Sequence, residues 1–256
     1  MILTSVTKHV NEQNWFAVFV DFIIVVVGVF VGLQVSNWNQ TQQDRVTESQ
    51  YIERIQQDLL ATEKDMLGRR NYFGQVKKSA LATLKALDSP ADKLGQKFLF
   101  DSFEASQALR RPMGRDTYNE LLSDGSLKTV SKLIVRQKLA QYYRGISASG
   151  NVFLNVPVYR DALRSIMPFE IQNFIYNNCG EIFSQDKIGI PILTFPEKCE
   201  INLSKQTIEN AVTKLLAAGL GNDLNRLLSD IELKLQLIEV VSSRTQELYQ
   251  FLEASK

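Results

Sequence analysis

The chain has 256 residues with 29 basic and 28 acidic side chains, a formal charge of +1. That balance excludes the concentrated basic face with which nucleic-acid binders hold phosphates, so no nucleic-acid partner is expected. Apolar residues make up 45% of the chain, enough for one packed domain of roughly 200 residues.

Residues 1–14 form a short polar tail that contains the only histidine, His9. No histidine-based triad or zinc site can therefore form in the remainder. From Trp15 to Val35 the chain is uncharged except at Asp21. As a helix this run spans about 30 Å, the thickness of a bilayer's hydrocarbon core. A cleaved leader is the rival reading. It is opposed by the length of the run, by Asp21 and by the lack of a small-residue cleavage site. The run leads instead into Leu33-Gln34-Val35-Ser36-Asn37-Trp38-Asn39. Trp15 and Trp38, the only tryptophans, flank it as interface anchors.

Helical geometry sets Asp21, Val25, Gly28 and Gly32 on one face, because separations of seven and eleven residues return within about 20°. Gly28-x-x-x-Gly32 is a spacing that lets two helix backbones approach closely in lipid. A carboxyl on the same face, about 9 Å inside Trp15, is costly in hydrocarbon and calls for a protein partner or a proton.

Residues 36–90 are expected to continue as a helical stalk. Ile52, Ile55, Leu59, Thr62, Met66, Arg69, Phe73, Val76, Ala80, Leu84 and Leu87 recur every three or four positions. The stripe is weakened at Thr62 and Arg69 and halted by Asp88-Ser89-Pro90. Residues 91–256 are expected to form a helical domain against that stalk. Arg110, Arg111 and Arg115 around Pro112 read as a solvated turn. Thr117-x-x-Glu120 reads as a capping box, with Gly125 at the following stop. Val135, Leu139, Tyr142 and Ile146 mark one helix face, and Pro157 and Pro168 cut the next stretch into brief segments. Cys179 and Cys199, the only cysteines, bracket an irregular stretch and are expected to form a disulfide. Within it, Ile188 to Phe195 contains a short extended piece expected to fold over one end of the bundle. The last stripe is Leu224, Leu227, Ile231, Leu235, Ile238, Val241, Thr245, Leu248 and Leu252. It should pack antiparallel on the stalk. The fold class is mainly α: a transmembrane helix continuing into a stalk, and a bundle closed by a long C-terminal helix.

Two regions carry a resemblance. Asp21, then Gly28-Val-Phe-Val-Gly32-Leu-Gln34-Val-Ser-Asn37-Trp38-Asn39, resembles the anchor of an uncharacterised family of small bacterial single-pass membrane proteins. Asp21 stands where that family more usually has Glu, and Ser36 where it has the first Asn. Thr117-Tyr118-Asn119-Glu120-Leu121-Leu122 through Gly125, Leu127 and Tyr142-Tyr143 is similar to its exported domain. The resemblance implies an inner membrane of the Gram-negative type and no known activity.

No phosphate-binding loop, GxGxxG or HExxH motif occurs. The expectation is a non-enzymatic, membrane-anchored interaction protein with no cofactor. Its expected partners are the bilayer and either a second copy or another membrane protein. The tail is expected in the cytoplasm and the domain in the periplasm. Two alternatives stand beside this: an accessory subunit of a proton-driven or multi-span complex using Asp21, and an exported helical sensor with a polar cavity.

Overall fold

The computed structural model describes residues 15–185, 189, 191–196 and 198–255. The tail 1–14, with His9, and Ile188 and Ile190 of the expected extended piece lie outside them. Helix α1 runs unbroken from Trp15 to Ala86, 72 residues, or about 108 Å at the α-helical rise. Continuity is permitted because the chain's first proline is Pro90, so no ladder hydrogen bond is lost before it. The helix closes in a turn at Leu87 and Ser89, ahead of that proline.

The two parts of α1 have different surroundings. None of its most apolar window is buried against the chain. Its hydrogen bonds to the rest of the described domain begin at Glu48, whose Oε1 accepts the Ser131 amide at 2.9 Å. Beyond that point one stripe is covered: Ile55, Leu59, Met66, Phe73, Val76 and Ala80 are all buried. Helix α8, Gly221–Ala254, lies along it antiparallel, as the paired stripes require. Gln56 Nε2 donates to Glu253 Oε1 at 2.5 Å, Arg70 pairs with Glu239 at 2.6 Å and Lys77 with Glu232. Rising numbers on α1 meet falling numbers on α8. The two ion pairs are largely solvent-exposed and contribute little; the register is held by the apolar seam, in which Leu224, Ile231, Ile238 and Leu252 are buried.

The remaining elements fill the sides of this pair. They are α2 Gln96–Ala105, α3 Asp116–Ser123, α4 Leu133–Leu154, α5 Val158–Ile166 and α6 Phe169–Cys179. Strands β1 Ile182–Gln185 and β2 Pro191–Thr194 and helix α7 Lys205–Ala217 come next. The strands form an antiparallel hairpin with Ile182 opposite Thr194 and Gln185 opposite Pro191. Tyr118 and Tyr143 stack face to face at 4.2 Å, and Tyr142 Oη shares a hydrogen bond with Thr245 Oγ1 at 2.9 Å.

Three local expectations need correction. Thr117 is not the cap of α3: the helix starts at Asp116 and has no side-chain cap. Asp58 of α1 accepts the Thr117 amide at 3.3 Å instead, and Glu120 is drawn to Arg54. A side chain from another helix thus satisfies an orphan donor that a local cap normally takes. Of the arginines around Pro112 only Arg110 is exposed; Arg111 pairs with Asp65 and Arg115 bonds Ser147. The hairpin lies on the flank of α1, not over an end. Phe195 packs on Tyr72 at 4.9 Å between centroids, and its amide donates to Gln75 Oε1 at 3.0 Å.

Ile238→Ala, at a site with no exposed surface, is expected to cost about 2–5 kcal/mol in denaturant unfolding followed by circular dichroism. Leu67→Ala on the exposed side of α1 should cost no more than about 0.5 kcal/mol.

Candidate functional site

The unbroken geometry of α1 places Asp21, Val25, Gly28 and Gly32 on one face of its apolar part. A methyl group added at Gly28 or Gly32 meets nothing within 4 Å, so the space beside both glycines is open. One oxygen of Asp21, Oδ2, is shielded by its neighbours and has no hydrogen-bond partner. Trp15 and Trp38 are both exposed and stand about 35 Å apart along the axis. That span brackets a hydrocarbon core and reaches into its headgroup layers.

Cys179, at the end of α6, and Cys199 come together within disulfide-bonding distance, their Cα atoms 5.6 Å apart. Both are buried. The link closes the segment that carries the hairpin and holds that segment against α1 and α2.

The domain also holds a set of buried polar groups that no sequence motif marks. Arg69 is fully buried. Its Nε donates to Asp65 at 2.7 Å, and its Nη2 to the carbonyls of Arg111 at 2.9 Å and Pro112 at 3.2 Å. Burial lowers its pKa, and the carboxylate of Asp65 offsets part of that. Arg164 lies over the ring of Phe103 at 3.4 Å and donates to Ser106 Oγ at 2.8 Å. Burial brings its pKa down to about 10. Tyr72 Oη donates to Glu181 Oε1 at 2.7 Å. Lys234 is buried with its ammonium 5.2 Å from the Phe73 ring. Each cation finds carbonyls, a carboxylate or an aromatic face, as an ionised group removed from water must.

Arg69 leaves its Nη1 without a partner, whereas Glu104 leaves both carboxylate oxygens so. Glu104 is 2% exposed. Burial pushes its pKa up to about 8, the charge of Glu181 adds to the rise, and Gln107 and Arg164 oppose it. The signal available in the sequence was its position four residues after Phe100, on the same helix face as a core aromatic. Among the described residues, no group of three or more His, Cys, Asp or Glu side chains is placed to hold a metal ion. Comparison with protein-family models, with curated proteins and with solved structures finds no match to this chain.

The sign of the Glu104 effect follows from proton linkage. Between its ordinary value of 4.5 and about 8, the folded chain holds a proton that the unfolded chain releases. Stability therefore falls as pH rises through that window. Glu104→Gln should be more stable than the parent by about 2–4 kcal/mol at pH 9, and the gap should shrink toward pH 5 in urea unfolding. Reduction of the Cys179–Cys199 pair, or the Cys179→Ser and Cys199→Ser double variant, should cost about 2–4 kcal/mol by the same measurement.

Proposed function

We propose that this chain is a membrane-anchored helical interaction protein without catalytic activity. It associates with a second copy or another membrane protein through the Asp21–Val25–Gly28–Gly32 face and the stalk. The observation that carries this reading is the contrast within α1: one continuous helix is apolar and unburied at its start, then seated in a bundle from Glu48 onward. In a bilayer the first part satisfies every backbone group internally. Its glycine face leaves room for a second helix, whose donors could reach the unpartnered oxygen of Asp21. The domain is assigned to the periplasm of a bacterium with an inner membrane, and the tail to the cytoplasm. The cysteine pair supports this side, since such links persist in oxidising compartments. So does the resemblance of the anchor and of the Thr117–Gly125 region to single-pass bacterial proteins.

A subunit of a proton-driven complex would use the same acid for ion flow, and the partner separates the two readings. Co-purification with a multi-span protein favours the ion-flow reading; a homo-oligomer favours the first. The double variant Gly28→Leu and Gly32→Leu is expected to weaken self-association in membranes by roughly 5- to 30-fold, equivalent to about 1–2 kcal/mol. Cross-linking yield against protein density reads this. Because both positions lie in the stretch of α1 that is buried against none of the described residues, the domain's circular dichroism should be unaltered. Unchanged cross-linking would contradict the assignment.

A further inference from the structure

Helices α1 and α2 and the loop that follows β2 line a cavity of about 630 Å³, within the range of small-molecule sites. Glu104 lines it and supplies a buried carboxyl with two unpartnered oxygens. We propose that this cavity binds a small zwitterionic amino compound, an amino acid or dipeptide with an apolar side chain. Its ammonium pairs with Glu104, and its carboxylate lies among the lysines at the mouth.

Three observations converge on that chemistry. The first is the demand of Glu104 for donors: both oxygens are buried without a partner at hydrogen-bonding distance, and Gln107 offsets the burial only in part. The nearby cations are otherwise engaged: Arg164 on Phe103 and Ser106, and Arg160 on the Ser106 carbonyl at 2.7 Å. Glu181, whose charge raises the demand, is taken up by Tyr72. An incoming ammonium brings both the donors and the compensating charge. The second is the apolar wall of Phe100, Phe195 and Ala82, which suits a hydrocarbon side chain and excludes a fully polar guest. The third is charge at the mouth. Among the described residues that line the cavity, Lys78, Lys97 and Lys198 stand beside Asp101 and Glu200, and Asp101 is bonded to Lys97 at 2.6 Å, which leaves Lys78 and Lys198 to meet a carboxylate.

The walls are set before any guest arrives. Gln75 Oε1 accepts the Phe195 amide, and Gln96 Oε1 accepts the Ile201 amide at 2.9 Å. The Cys179–Cys199 pair ties the same loop to α6. A braced cavity loses little ordering entropy on binding. The site lies in the bundle, away from the apolar face of α1, so it stands or falls independently of the anchor's self-association.

The test is isothermal titration of the full chain in lipid nanodiscs, near pH 7.5, with three probes. L-phenylalanine carries both charges, phenethylamine only the ammonium, and 3-phenylpropionate only the carboxylate. Phenylalanine should bind best, phenethylamine more weakly, and 3-phenylpropionate not detectably. Glu104→Gln should weaken phenylalanine by about tenfold or more, on the scale of one lost charge-assisted hydrogen bond. The double variant Lys78→Gln and Lys198→Gln should weaken phenylalanine and spare phenethylamine. Pairing ionises Glu104 against Glu181 and Asp101, so binding should release close to one proton, read by comparing two buffers of different ionisation enthalpy. The proposal is overturned if neither amine binds at about 10 mM, or if 3-phenylpropionate binds as well as phenylalanine. Unchanged affinity in a folded Glu104→Gln variant overturns it too.

Discussion

One unbroken helix carries two kinds of surface, an apolar one long enough to cross a membrane and a one-sided stripe. The backbone of α1 closes its own hydrogen bonds from Trp15 to Ala86, which is the condition for lying in hydrocarbon and equally the condition for forming a bundle wall. What changes along it is only the side-chain pattern. The first part is apolar all round and buried against nothing in the chain. The second is apolar on one stripe and covered by α8. Because no proline or turn separates them, the orientation of the domain is coupled to the tilt and rotation of the anchor. A partner that reorients the Asp21–Gly28–Gly32 face would therefore turn the whole bundle with it.

Within the domain, stability rests on the α1–α8 seam, and the polar groups trapped beside it give the interior its character. Arg69, Arg164 and Lys234 are each held by carbonyls, a carboxylate or an aromatic face. Such arrangements usually cost more than an apolar core of equal volume. Glu104 lacks even that compensation. Arg69, Arg164 and Lys234 brace the fold, whereas Glu104 is left with both oxygens unpaired beside a cavity.

Much of the architecture was legible in the sequence because periodicity reports burial directly. The stripes at Ile55–Ala80 and Leu224–Leu252 face each other as their spacing implied, and the Asp88-Ser89-Pro90 stop lies just beyond the end of α1. The cysteine pair stands at bonding distance, and part of the loop it closes is extended, as β2. The failures share one cause, which is partners far away in sequence. Thr117 looked like a cap because Glu120 stands at the right interval after it, yet Asp58 of α1 takes the Thr117 amide and Arg54 takes Glu120. Arg111 and Arg115 looked solvated because nothing local opposes them, but Asp65 and Ser147 do so across the bundle. Arg69 looked like a flaw in the stripe, and its carbonyl partners lie more than 40 residues away. The face of Asp21, Gly28 and Gly32 was legible as geometry, and nothing among the described residues covers it. Glu104 carried only the weak signal of sharing a face with Phe100.

Alkaline carbonate extraction of membranes from cells that express the whole chain bears most directly on this two-surfaced helix. The account predicts that the protein stays with the lipid pellet, because Trp15–Val35 is embedded and removing it would expose that apolar surface to water. Recovery of intact protein in the supernatant would mean that this segment does not cross the bilayer, and would contradict the account.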